Sequence, residues 1–134
     1  QLIFWTAKVE FPLDYSAVHI WDKRFGCGSQ YERIYERFGH SNYKVYRQYR
    51  HNNPLSASWC DDIHTGHPSQ KPIRLLRELV AEYTKPGDLI FDPFMGDGAT
   101  LLAAKQLGRK AIGIDIKKLH CEVTAERCKQ GILL

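Results

Sequence analysis

Apolar and polar positions follow two different rhythms along the chain. In the first half, Gln1–Trp5, Ala17–Trp21 and Glu32–Phe38 are short runs rich in aromatic and β-branched residues, parted by turn-prone stretches such as Phe25-Gly26-Cys27-Gly28-Ser29. Runs of this kind predict strands. From Gly39 to Thr65 the order is irregular, polar and aromatic, and it predicts no element. The second half changes period. Pro72 stands where a first helical turn accepts proline, and Ile73, Leu76, Val80 and Tyr83 recur at helical spacing. After a turn at Lys85-Pro86-Gly87-Asp88, Leu89-Ile90-Phe91 is apolar throughout, the pattern of a strand buried in a parallel sheet. Pro93-Phe94-Met95-Gly96-Asp97-Gly98 is a glycine loop, followed by a helix over Ala99–Leu107 that Gly108 stops. Ala111–Asp115 reads as a second buried strand and Lys118–Gln130 as a last helix. Helix, strand, glycine loop, helix, strand, helix is a doubly wound α/β pattern.

A strand that turns sharply into a helix through glycines can bring backbone N–H groups close to a ligand, because glycine has no Cβ to hold the ligand off. Asp115, at the end of the next strand, is placed where a carboxylate can accept hydrogen bonds from a ribose diol. Both features belong at the carboxyl ends of adjacent parallel strands, the ligand side of such sheets. The dinucleotide fingerprint calls for a small residue three positions after the second glycine, and Leu101 stands there. Asp97, between the two glycines, would repel a pyrophosphate at the helix N-terminus. S-adenosylmethionine carries a sulfonium and an ammonium and no phosphate, so the charge pattern favours the methyl donor over NAD. The plainer reading of Gly96-Asp97-Gly98 is a tight strand–helix turn, and of Asp115 a solvated acid at a strand end.

Composition narrows the picture without redirecting it. The chain has 134 residues, 43% of them apolar, which suits one globular domain. No run of about eighteen apolar residues occurs, so no membrane span is expected. Gln1-Leu2-Ile3-Phe4-Trp5 has no basic region and no cleavage site of a signal peptide, and the expected location is cytoplasmic. Gln1 opens the sequence and Met95 is the one methionine, so the chain is expected to be part of a longer polypeptide. The net charge of +4 tolerates a polyanionic partner without requiring one. The four cysteines form no CxxC pair and are expected to be reduced thiols. Cys60, His64 and His67, or His120, Cys121 and Cys128, match no standard zinc spacing, and no metal is expected.

Several segments together resemble one family. Asp92-Pro93-Phe94-Met95-Gly96-Asp97-Gly98-Ala99-Thr100 resembles the Asp-Pro-Phe-x-Gly-Ser-Gly-Thr-Thr cofactor loop of the DNA adenine-N6 and cytosine-N4 methyltransferases. His67-Pro68-Ser69-Gln70-Lys71-Pro72 is similar to the His-Pro-x-x-Lys-Pro segment those enzymes carry, and Leu107–Asp115 to their run into a ribose-binding acid. His19-Ile20-Trp21-Asp22-Lys23 and Tyr31-Glu32 resemble segments that follow the catalytic motif. The matches cover most of the chain, and 67–128 is the specific part. Their order is that of the permuted β group. The resemblance implies S-adenosylmethionine as cofactor, held by Lys71 (with help from His67), Asp92, Pro93, Phe94, Gly96, Asp97, Gly98, Asp115 and Ile116. It also implies double-stranded DNA as partner, with 39–66 a candidate target-recognition segment. Asp97 and Ala99 depart from the family's serine and threonine, which removes hydroxyls near the cofactor but spares the glycine backbone.

In the β group the catalytic Asp/Asn/Ser-Pro-Pro-aromatic tetrapeptide comes before everything seen here. Asn53-Pro54-Leu55 lacks the second proline and the aromatic ring, and Asp92-Pro93-Phe94 belongs to the cofactor loop, so the motif is absent and no catalytic residue is assigned. In the family that motif stacks a flipped base and hydrogen-bonds its exocyclic amine in line with the methyl sulfonium. The family places its strand between the Leu89–Asp92 and Gln1–Trp5 strands. The resemblance therefore implies an incomplete Rossmann-like sheet with the central catalytic strand absent, in a single partial methyltransferase domain over 1–134. Lacking it, the two flanking strands would be left with open edges, and the chain is expected to need the missing N-terminal segment or a second chain. Two other readings are a non-catalytic cofactor- or nucleic-acid-binding remnant and an RNA methyltransferase of the same fold.

Tyr43–His51 interleaves aromatics with Lys44, Arg47 and Arg50, a composition that can track phosphates and stack on bases; the alternative is a solvated surface segment. Trp5, Ile20 and Trp21 are expected in the core, and Phe94 is expected to flank an adenine rather than plug the interior.

Overall fold

The computed structural model describes residues 1–5, 8–23, 31–39, 43–47 and 70–129, which divide into two compact units, 1–56 and 57–134. The first unit is a four-stranded sheet of β1 (Leu2–Trp5), β2 (Ala17–Asp22), β3 (Tyr31–Glu36) and β4 (Val45–Arg47), in the order β1-β3-β2-β4. β3 runs antiparallel to both neighbours, and β4 lies parallel to β2 with Trp21 opposite Tyr46 and Asp22 opposite Arg47. β4 falls in the stretch where the sequence predicts no element. It is three residues long and depends on pairing with a distant strand, so no local period announces it.

Aromatic side chains build the core of this unit. Trp21 is 1% exposed and meets Phe4 edge-on, while Phe11 stacks on Tyr35 with ring centres 4.1 Å apart. Trp5 and Ile20, expected in the core, are half-buried instead; the indole of Trp5 donates to the carbonyl of Val9 at 3.0 Å. The expected strand Glu32–Phe38 ends at Glu36, because Phe38 takes a left-handed φ of 62°, which a strand cannot contain. Buried beside these rings is a polar pair. The Lys44 amide donates to His19 Nδ1 at 3.2 Å, which leaves the ring proton on Nε2 to be donated to Glu36 Oε2 at 3.0 Å. Burial of the two groups is tolerable because each is hydrogen-bonded.

The second unit contains α1 (Ile73–Tyr83), β5 (Leu89–Asp92), α2 (Ala99–Gln106), β6 (Lys110–Gly113) and α3 (Lys118–Lys129). Pro72 is the N-cap of α1, whose buried stripe is Ile73, Leu75, Leu76, Leu79 and Val80. α2 packs against α1, α3 and both strands, and its buried residues, Ala99, Ala103 and Ala104, are small enough to let the backbones approach. β5 and β6 are parallel, with Phe91 opposite Ile112.

The sequence predicts both strands buried, and the structure corrects this. Leu89, Phe91, Ile112 and Ile114 are each half or more exposed, while Ile90, Ala111 and Gly113, which alternate with them, are less exposed. A parallel strand is buried on both faces only if helices cover both, and α2 covers one. Among the described residues β1 pairs only with β3 and β5 only with β6, so each has an open edge. Mixed α/β content in two partial sheets is an incomplete Rossmann-like arrangement. No helix among the described residues is long and apolar enough to cross a membrane.

Arg109 ties the helix ends together. Its guanidinium donates to Thr84 Oγ1 at 3.0 Å, to the Thr84 carbonyl at 2.7 Å and to the Leu107 carbonyl at 2.5 Å, holding the residues that end α1 and α2. Arg109→Ala is expected to lower unfolding stability by about 2 kcal/mol in urea titrations, the scale of charge-assisted hydrogen bonds. A loss within experimental error would show that solvent replaces these contacts at no cost.

Candidate functional site

The loop between β5 and α2 begins with its own brace. Asp92 Oδ1 accepts the Phe94 amide at 3.0 Å, turning the chain at the strand's end. The Met95 amide then donates to the Ile114 carbonyl at 3.1 Å, and the Gly96 amide to Asp115 Oδ2 at 3.1 Å. Loop and acid, nineteen residues apart, are thus joined directly. Gly98, the N-cap of α2, has a φ of 79°, and a Cβ there would fall 2.4 Å from Thr124 Cγ2. Only glycine meets both demands.

Asp115 lies two residues past the end of β6, beside the ends of both parallel strands. Its Oδ1 accepts the Lys117 amide at 2.8 Å and His120 Nδ1 at 3.0 Å. The Lys117 amide does most to hold the carboxyl below its usual range. Partial burial opposes it, and the Gly96 amide and His120 add to the lowering. At neutral pH Asp115 is therefore an ionised acceptor, and with about four lone-pair directions on its carboxylate it retains room for a ligand hydroxyl.

Two apolar side chains, one in the loop and one next to this acid in sequence, are left in solvent. Phe94 is 89% exposed and Ile116 99% exposed. Phe94 does not plug the core. Pro93 is also exposed, at the start of the loop. Lys71 is half-buried just ahead of Pro72 and α1, and the hydrogen bonds joining loop to acid are made without it. His67, Pro68 and Ser69 lie outside the described residues, as do Arg50, Cys60, His64 and most of 39–66.

Asp97 behaves otherwise than its position in the sequence implies. It is buried, and its Oδ2 accepts Arg127 Nη1 of α3 at 2.7 Å. A carboxylate neutralised in this way repels a phosphate far less than a bare one, so the charge argument against a pyrophosphate loses most of its force. Sequence reasoning also missed Thr124, Arg127 and His120. Their partners are 28, 30 and 5 residues away, and α3 shows no pattern that singles them out.

In the first unit, Lys44 and Arg47 are exposed, and the Lys44 carbonyl accepts the Ile20 amide at 2.8 Å. Arg47 stands opposite Asp22 in the β2–β4 register.

The family model described as DNA methylase, for N6/N4 methyltransferases, matches residues 2–126. The chain belongs to this DNA methylase family. The type II methyltransferase M2.LlaDCHI of Lactococcus lactis subsp. cremoris is 33% identical over 97 residues, which are 67% of this chain and 36% of that one. M2.DpnII, a type II methyltransferase of Streptococcus pneumoniae, is 48% identical over 61 residues, 46% of this chain and 23% of the relative. The orphan methyltransferase M.BamHII of Bacillus amyloliquefaciens is 38% identical over 82 residues, 61% of this chain and 31% of its own length. This DNA methylase chain thus spans 23 to 36% of the length of these relatives. Among solved structures, M1.HpyAVI in complex with SAM superposes with a TM-score of 0.58 at 22% identity, covering 84% of this chain and 61% of that one. The putative DNA modification methylase TTHA0409 of Thermus thermophilus, complexed with S-adenosyl-L-methionine, gives 0.52 at 24% identity, over 85% of this chain and 52% of the other. At these identities the likeness shows the fold alone.

Proposed function

We propose that the chain is the cofactor-binding portion of an S-adenosylmethionine-dependent DNA methyltransferase acting on the exocyclic amine of adenine N6 or cytosine N4. The observation that carries the reading is Asp115, ionised and bonded to the Gly96 amide, with exposed Ile116 next to it in sequence and exposed Phe94 two residues before that glycine. A ribose hydroxyl donates to an ionised carboxylate, and an adenine face is accepted by uncovered apolar side chains. Gly96 and Gly98 keep Cβ atoms away from that place, while Asp92 and Pro93 set the loop's entry and Lys71 serves the methionine end in this reading. Bound S-adenosylmethionine supplies an electrophilic methyl group. These residues bind and orient; none of them activates an amine. The family model and the superposed structures run across both units, which supports one partial methyltransferase domain over 1–134; within it 39–66 is the candidate target-recognition segment.

The catalytic tetrapeptide is absent from these residues, which favours, for the 134 residues taken alone, a module that binds without transferring methyl. Incubating the intact protein with tritium-labelled S-adenosylmethionine and duplex DNA decides among the readings. Label in N6-methyladenine or N4-methylcytosine is expected. Cofactor binding without transfer by the intact protein would establish a non-catalytic module, and label entering RNA alone would make it an RNA enzyme. In DNA-binding titrations at several salt concentrations, Lys44→Ala, Arg47→Ala and Arg50→Ala combined are expected to weaken binding and lower its salt dependence by about 2 to 3 in log–log slope. Unchanged binding would return the segment to a solvated surface.

A further inference from the structure

Two side chains of α3, one turn apart, grip three consecutive residues of the glycine loop. Thr124 Oγ1 donates to the Gly96 carbonyl at 3.3 Å, and Thr124 fills the space a side chain at Gly98 would need. Arg127 Nη1 donates to both the carbonyl and the carboxylate of Asp97, the latter at 2.7 Å. The ion pair is well covered, with side-chain exposures of 10% for Arg127 and 7% for Asp97. Cofactor recognition does not require this arrangement, since the carboxylate points to a helix cation and not to solvent. A loop containing two glycines has much backbone freedom to lose on binding a ligand, and a loop already held in place loses less.

We propose that Arg127, with Thr124, is a positioning residue for the cofactor loop, and that Asp97 serves this latch and not the ligand. The proposal rests on the reading of the loop as an S-adenosylmethionine site. Neither partner of a covered ion pair can be removed alone without stranding the other's charge, so the two residues act as a unit. Only when Arg127→Ala is combined with a serine at position 97, the residue of the resembling family motif, is no charge left to strand.

The test is calorimetric titration of the intact protein with S-adenosylmethionine, for wild type, Arg127→Ala, Arg127→Lys, Asp97→Ser and Asp97→Ser combined with Arg127→Ala. Arg127→Ala is expected to weaken binding about tenfold or more while thermal unfolding stays cooperative. Arg127→Lys, which keeps the charge but not the planar fork, recovers part of the loss. The double variant binds more tightly than Arg127→Ala alone, the non-additivity expected of a coupled pair. Hydrogen exchange at the Gly96, Asp97 and Gly98 amides, measured without cofactor, speeds up in Arg127→Ala. Wild-type affinity in Arg127→Ala, or an equal loss on Asp97→Ser with and without Arg127, would overturn the latch. Failure of wild type to bind at all would remove the cofactor reading, and the exchange rates would still decide whether Arg127 holds the loop.

Discussion

Gly98→Ala is expected to weaken S-adenosylmethionine binding by roughly 30- to 100-fold while α2 still forms, as read by titration and by circular dichroism. Two costs combine. A φ of 79° places a Cβ against the following carbonyl, about 1–2 kcal/mol for a non-glycine residue. The same Cβ would stand 2.4 Å from Thr124 Cγ2 and 2.6 Å from its Oγ1, so α3 or the loop must move. If the loop moves, the Gly96 amide is drawn from Asp115, which is the contact that joins the two halves of the site. Gly87→Ala is the control. Its φ of 91° carries the backbone cost, but nothing lies within 4 Å of a Cβ there. It should lower stability and leave affinity unchanged. Equal affinity for Gly98→Ala and wild type would mean that the loop geometry does not govern binding.

The largest stability effect is expected in the first unit. Trp21→Ala should cost about 3–5 kcal/mol in urea unfolding, the range for deleting a buried aromatic ring. Trp21 is 1% exposed, lies edge-on to Phe4 with centres 6.3 Å apart, and has Lys23 Nζ 4.9 Å from its ring centre. Lys23 in turn is bonded to Glu32 at 2.5 Å, so the cavity also loosens a covered ion pair. Trp21→Phe keeps a ring edge for Phe4 and should lose markedly less. A loss for Trp21→Ala below about 1 kcal/mol would contradict the packing described, since surface substitutions cost that little.

Which of these features are legible in the sequence follows from how local their causes are. Pro72, Gly108 and the spacing of Ile73, Leu76 and Val80 mark α1 and the end of α2, because helix starts and stops are written in neighbouring residues. The glycine loop and Asp115 are legible in the same way, and the hydrogen bond from Gly96 shows that they meet. Burial of β5 and β6 is not legible. Leu89, Phe91 and Ile112 have the composition of a strand covered on both faces, but covering depends on a layer that composition cannot report. Asp97 makes a related point: its charge is plain, but its partner Arg127 stands thirty residues away on a helix with no sign of the pairing. β4 escapes because three residues hold too little pattern to outweigh their surroundings.

The most direct measurement is calorimetric titration of the intact protein with S-adenosylmethionine and, in parallel, with NAD, for wild type and Asp115→Ala. Saturable heat is expected with S-adenosylmethionine and none with NAD, and Asp115→Ala is expected to lose about tenfold or more in affinity, the scale of one hydrogen bond to a charged group. No saturable heat for wild type, preference for NAD, or unchanged affinity in Asp115→Ala would contradict it.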